Sequence, residues 1–239
     1  TAIYHLAAQS SVTVSVKDPE RDAQVNVIGT LHLLEAAGRH GAPLIFTSTG
    51  GALYGNRAPL PTPETWIPEP EAPYGASKWA GEAYIRTWAL KSGIPHAICR
   101  LGNVYGPRQS PHGEAGVVSI FSRKLMDGEQ AVMFGFGEPT RDYIHVSDIV
   151  SGMKAAEGTM GVFNLGTGIE TPVSRILELV QQAAGTDIEP IMQPLREGEL
   201  QRSCLDSSKA RELGWAPTVD LTEGIRETFD ALCAEWGGR

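Results

Sequence analysis

The chain has no apolar run approaching the ~18 residues that a membrane-spanning helix needs, and its N-terminus, TAIYHLAAQS, lacks the basic start of a secretory signal. No membrane partner is expected. Cysteine is scarce. Cys99, Cys204 and Cys233 are far apart and odd in number, so they offer no disulfide framework and no metal-ligand spacing. A reducing, cytoplasmic setting without a metal is expected. Basic residues are outnumbered, 20 Lys and Arg against 28 Asp and Glu, for a formal charge of −8. That balance argues against a nucleic-acid partner, which needs clustered cations for its phosphates. It leaves room for a small phosphorylated ligand, which one or two well-placed arginines can hold.

What is present alternates. AIYHLA (2–7) reads as a buried strand. Asp18-Pro19 opens a helix near 19–40 that Gly41 closes. PLIFTS (43–48) is a second apolar strand. A helix from about Tyr74 to Ser92 ends at Gly93, and HAICRL (96–101) is a third strand. Beyond a Gly-, Pro- and His-rich loop (102–116) come a helix near 115–127, short strands at AVMF (131–134) and VFNLG (162–166), and a helix capped by Thr171-Pro172 running to about Ala184. A last helix, about 222–236, carries Ile225, Phe229, Leu232 and Trp236 at core-facing spacing. This rhythm predicts an α/β fold: a doubly wound, Rossmann-like parallel sheet with a smaller mixed α/β part. Ligands bind such sheets beyond the carboxyl ends of the strands. The loops there, LAAQSS, STGGALYG and LGNVYGP, are rich in small and hydroxyl residues, as close approach of a ligand requires.

APYGASK (72–78) places Tyr74 and Lys78 four apart, on one helix face. A nearby ammonium is expected to favour the phenolate and lower the phenol's pKa, suiting it to general acid–base work on a hydroxyl. By itself such a pair is more often solvated helix surface. Ser48 and Thr49 end a predicted strand. Either hydroxyl could share a substrate oxygen with Tyr74, or simply form a Ser/Thr turn.

Six segments in this order, IYHLAAQ, STGGALYG, PYGASK, RLGNVYGPRQ, TRDYIHVSD and FNLGTG, resemble the extended short-chain dehydrogenase/reductases, the NAD-dependent nucleotide-sugar epimerase/dehydratase group. The resemblance runs over nearly the whole chain and is strongest to the UDP-glucose (UDP-galactose) 4-epimerase branch. It implies a tightly bound NAD, with Tyr74 as the proton-transfer residue and Lys78 on the nicotinamide ribose. It implies Leu6, Ala7 and Ala8 along the pyrophosphate and ribose, with Asn26 near the cofactor. A UDP-sugar substrate would meet Asn103 at the sugar or its phosphate, Phe134 near the uracil, and Arg141 and Arg196 at the diphosphate. Plainer readings stand beside these: Arg141 paired with Asp142 at the surface, Arg196 solvated beside Glu197 and Glu199, Asp148 as a helix cap, and Tyr143 and His145 merely packed.

Dehydratases and decarboxylases of the group add an acid after the strand-end hydroxyl. Here that stretch is Thr49-Gly50-Gly51, which favours epimerisation at C4 of a UDP-hexose through a 4-keto intermediate. The position that usually carries the hydroxyl is Gly50, so Thr49 is taken as the assisting group and Ser48 as second. The group also begins with a glycine-rich strand–turn–helix, G-x-x-G-x-x-G, which this sequence does not contain. Roughly the first 65 residues of the family pattern are expected to be missing, leaving an apolar strand edge and weak or no NAD binding. The expected division is a partial dinucleotide-binding part, 1–108, to which 142–168 returns, and a mainly substrate-binding part, 109–239. The resemblance implies a homodimer built on the 19–40 and 74–92 helices, with Val25, Ile28, Leu31 and Leu34 facing either the partner or the chain's own sheet. A nucleotide-sugar reductase or dehydrogenase on the same fold, and an inactive nucleotide-sugar binder, are the alternatives.

Overall fold

A computed structural model describes residues 2–111, 116–196 and 199–237. In chain order the elements are β1 (Ile3–His5), α1 (Val12–Lys17), α2 (Pro19–Ala23), a π-helical turn (Gln24–Ile28), α3 (Gly29–His40), β2 (Leu44–Thr49), α4 (Pro73–Ser92), β3 (Ala97–Leu101) and β4 (Asn103–Tyr105). There follow α5 (Val117–Met126), β5 (Val132–Phe134), β6 (Thr140–Arg141), β7 (Tyr143–His145), α6 (Val146–Ala155), β8 (Gly161–Leu165), β9 (Thr171–Pro172), α7 (Val173–Ala184), β10 (Ile191–Gln193), α8 (Ser208–Arg211) and α9 (Leu221–Trp236).

The main sheet has the order β1-β2-β3-β8 and is parallel throughout. Alternate strand residues face opposite sides, so each side needs its own cover. Leu44, Phe46, Ile98 and Val162 pack with Leu34 of α3 and Ile85 of α4. Ile45, Cys99 and Phe163 face the other way, onto Ile149 and Met153 of α6 and onto Trp215. This is the expected α/β fold with helices on both faces. A separate core is built by Phe121 and Leu125 of α5, Ile176, Leu179 and Val180 of α7, and Ile225 and Phe229 of α9, around Met133 and Tyr143. Ile225, Phe229 and Leu232 of α9 are buried as their spacing predicts.

Several expectations change. The first strand is only three residues, and the 19–40 helix is interrupted by the π-helical turn. Its signals were sound: the Asp18 carboxylate accepts from Arg21 N–H, and Gly41 closes α3 at φ 61°. α1, α6 and the short strands β4, β6, β7 and β10 are additions. Ala115 of the expected 115–127 helix, residues 112–115 of the 102–116 loop and Glu197 lie outside the described residues. Asp148 does not cap α6, a role His145 takes. Its carboxylate instead accepts from Thr218 and Val219 N–H. Nor does Asp142 pair with Arg141. It is buried between β6 and β7 and accepts from Thr167, Gly168 and Leu205 N–H, joining the turn after β8 and the later chain at one carboxylate. Tyr143 and His145 are packed, as the plainer reading had it.

Candidate active site

A cleft of about 660 Å³ opens beyond the carboxyl ends of β1, β2 and β3. Its inner wall includes Leu6, Ala8, Thr49, Gly51, Tyr74 and Lys78. Its outer wall includes Asn103, Phe134, Arg141, Tyr143 and Arg196. The segments on the inner wall are drawn together by small residues. A Cβ on Gly75, next to Tyr74, would stand 2.3 Å from the Ala52 carbonyl oxygen, so the first turn of α4 presses directly on the loop after β2. α4 begins at Pro73, whose fixed φ suits a first helical position. The free N–H of Tyr74 is satisfied from outside: it donates to the Ser15 hydroxyl of α1 (3.0 Å).

Tyr74 and Lys78 lie one turn apart on α4. The Tyr74 ring keeps some accessible surface toward the cleft, yet protein encloses it closely. Burial pushes its phenol up to about 12, opposed by a side-chain hydrogen bond with Thr49. This corrects the expected direction, since no lowering from the Lys78 ammonium appears and desolvation wins. Lys78 is itself only 3 % exposed. Burial brings it down to about 8, with Asp22 and Glu82 acting the other way. Its Nζ sits 4.5 Å from the centre of the Phe46 ring.

Thr49, not Ser48, meets Tyr74. Ser48 borders the cleft, but its hydroxyl donates to the buried Glu82 carboxylate of α4 (2.6 Å). Asn26 is also out of the cleft. It is buried, and its amide is consumed by Gln9 N–H and C=O (2.9 Å each), Asp22 and Ser77. It shapes the loop after β1 instead of lining the space a cofactor would enter. Leu6 and Ala8 line the cleft, whereas Ala7 does not.

On the outer wall the four expected residues converge. The Arg196 guanidinium lies 3.9 Å above the Phe134 ring and 3.2 Å from Glu199, the neighbour that the plainer reading named, and stays partly exposed at the cleft. Arg141 donates to the carbonyls of Thr140 (2.8 Å) and Leu200 (2.7 Å), and burial lowers its pKa.

Sequence reasoning missed Ser15 and a buried group behind the inner wall: Glu82, Arg100, Tyr54 and Asn164. Two signals pointed to the latter. Glu82 continues the i, i+4 face of Tyr74 and Lys78, and Arg100 interrupts an otherwise apolar strand.

Residues 1–228 match the family model described as GDP-mannose 4,6 dehydratase. The chain belongs to this family. Within it, the chain is 46 % identical over 233 residues to a UDP-glucose 4-epimerase of Mycolicibacterium smegmatis, covering 95 % of this chain and 74 % of the relative. Among solved structures, the UDP-glucose 4-epimerase of Thermotoga maritima with UDP-glucose superposes with a TM-score of 0.95 at 45 % identity, covering 98 % of this chain and 77 % of the other. That of Thermus thermophilus in complex with NAD gives 0.90 at 42 %, covering 97 % and 77 %. The Rossmann-like, extended short-chain dehydrogenase/reductase fold expected from the six segments is the fold of these family members.

A nicotinamide cofactor, implied by the family, fits what is present on the inner wall. Lys78 is a buried cation reaching the cleft, and among the described residues no hydrogen bond or ion pair holds its Nζ. Ribose hydroxyls are groups that would complete it.

Proposed function

We propose that this protein is an NAD-dependent epimerase that inverts C4 of a UDP-hexose, a reading supported by its similarity to the UDP-glucose 4-epimerases described above. The observation that carries the reading is that Thr49 and Tyr74 line the same wall of a cleft, close enough for Thr49 to oppose the rise in the Tyr74 pKa, and that this wall offers no free carboxylate. Two carboxylates line the cleft among the described residues. Glu71 has both oxygens engaged by Asn56 (2.8 and 2.9 Å), and Glu199 faces Arg196. A dehydratase needs a second acid–base group to expel a leaving group. An epimerase needs proton transfer at one oxygen only.

When bound, the nicotinamide supplies the acceptor and later the donor of the C4 hydride. Tyr74 handles the proton of the C4 hydroxyl, and Thr49 orients both oxygens by hydrogen bonding. Lys78, held near a pKa of about 8 by burial, is the next titratable group along the same helix face and would hold the ribose. Leu6 and Ala8 would flank the cofactor. Asn103 would bind the sugar or its phosphate, Phe134 would cover the uracil, and Arg141 and Arg196 would meet the diphosphate, as paired guanidinium groups do well. We read the sheet-side part, 1–108 with 142–168 returning to it, as the cofactor half and 109–239 as mainly the substrate half.

Tyr74→Phe is expected to lower kcat by at least ~10³-fold, with UDP binding by calorimetry within about twofold of the parent. Undiminished turnover would remove Tyr74 from the chemistry. A reductase would instead convert cofactor for good, so a lasting change at the nicotinamide absorbance band on adding UDP-glucose would favour that second reading. We further propose a homodimer through the outward faces of the 19–40 helical stretch and α4. Leu34 faces the chain's own sheet, but Val25, Trp79 and Tyr84 are well exposed. A monomeric mass by light scattering would discard it. The free cysteines and the absence, among the described residues, of a helix long and apolar enough to cross a membrane support a cytoplasmic setting.

A further inference from the structure

Behind the proton-transfer wall lies a charged group with no access to the cleft. Glu82 of α4 is 0 % exposed and Arg100 of β3 is 1 % exposed. Arg100 donates to both Glu82 oxygens, Nε at 2.9 Å and Nη2 at 2.7 Å. Ser48 adds a third donor at 2.6 Å, and Arg86 a longer contact at 3.3 Å. Arg100 also donates to the Tyr54 hydroxyl (2.7 Å), whose own O–H donates to the Asn164 side-chain oxygen (2.8 Å). No side-chain atom of Glu82, Arg100, Tyr54 or Asn164 is left buried without a partner.

A buried ion pair is a poor device for stability, because desolvation of both charges cancels much of their attraction and apolar side chains of equal volume often do as well. What it does well is fix geometry through several directional bonds. The positions it fixes are telling. Glu82 stands one turn beyond Lys78 and two beyond Tyr74 on α4. Ser48 is the residue before Thr49. Arg100 lies opposite Ser48 in the β2–β3 register, three residues before Asn103. Tyr54 closes the loop that begins at Gly50. One carboxylate thus ties the helix carrying the phenol to the strand carrying the hydroxyl.

We propose that Glu82 and Arg100 are positioning residues, which hold α4 against β2 and so set the placement of Tyr74 relative to Thr49. The proposal rests on the acid–base role assigned to Tyr74 above, and deepens it.

The test uses three variants of the intact protein: Glu82→Gln, Arg100→Met and the two combined. Each single change strands one partner in the interior and is expected to lower Tm. The double variant leaves no unpaired charge, so Tm should return toward the parent value. Its kcat should nevertheless stay about tenfold to a hundredfold low, with KM and UDP affinity within about twofold, because a small displacement at the reacting atoms costs rate and not binding. In protein labelled with ¹³Cζ-tyrosine, the Tyr74 resonance, assigned by its loss in Tyr74→Phe, should move in the double variant. A double variant with parental kcat, or with an unmoved Tyr74 resonance, overturns the proposal. If the parent protein fails to turn over UDP-glucose, the substrate reading falls instead, and the Tyr74 resonance alone decides the positioning role.

Discussion

His5 is the residue whose titration most clearly couples to folding. It is buried beside Phe46, and its Nε2 lies 3.0 Å from the Thr30 hydroxyl. That hydroxyl already donates to the Asn26 carbonyl (2.6 Å), so it must accept from His5 Nε2–H. The neutral ring therefore leaves Nδ1 bare, and Nδ1 has no partner. Burial, with Lys78 adding to it, brings the pKa from 6.5 down to about 4. Between these values the unfolded chain binds a proton that the folded chain refuses, so stability is fully present above about pH 6.5 and is lost as pH falls toward 4. The loss attributable to His5 is about 3 kcal/mol. Urea unfolding at pH 7 and pH 4.5 should show a smaller drop for His5→Gln than for the parent, and equal drops would refute the assignment. At this scale the sequence was informative where spacing dictates proximity: Tyr74 and Lys78 had to share a helix face, and Thr49 had to sit at a strand end. It was silent where a polar residue turns inward. Asn26 and Ser48 carry the right groups for ligand contact, but their hydrogen bonds are spent inside the protein. Glu82 and Arg100 look solvated in a sequence because charged residues usually are.

Among the elements, α4 is the most tightly constrained. It is pressed at Gly75 onto the Ala52 carbonyl and at Gly81 onto Phe46, where a Cβ would stand 3.1 Å from the ring. It is capped from α1 by Ser15 and tied through Ser77 to Asn26. Gly75→Ala places a methyl against backbone that cannot rotate away. The expected cost is about 1–3 kcal/mol in stability, together with a loss of kcat, since the displaced turn is the one bearing Tyr74. Retention of both parental Tm and parental kcat would show that the helix can shift without consequence. Long elements were readable because caps mark them: Asp18-Pro19 and Gly41, Pro73 and Gly93. The three-residue strands β4, β7 and β10 were not, because so short a run shows no periodicity. β4 and β7 exist through pairing with each other across some forty residues of chain, a long-range choice that local pattern does not encode.

For the molecule as a whole, the cleft is the product of two packings. Its inner wall rests on the parallel sheet and α4, and its outer wall rests on the core of α5, α7 and α9. A ligand that bridges both walls should stabilise the whole chain by mass action. UDP at a hundred times its Kd is expected to add about 2.7 kcal/mol, or about 5–10 °C in Tm for a chain of this size. Absence of any shift with millimolar UDP would count against the nucleotide assignment of the outer wall. The parallel fold was evident from the alternation of strands and helices, and the last helix showed its core-facing stripe at Ile225 and Phe229, whereas the partners of that stripe, scattered from Tyr105 to Val180, were not evident.

Between these packings, Asp142, in the link from β6 to β7, holds the turn after β8 at Gly168 and the later chain at Leu205. Side chains around Met133, Phe134 and Phe121 can be exchanged, within the limits of volume-conserving repacking, while Thr49, Tyr74 and Lys78 keep the scaffold that aims them. Bond chemistry and ligand choice are thus separately heritable traits of one chain, and a lineage built on this plan can change what it recognises without relearning how to move a proton.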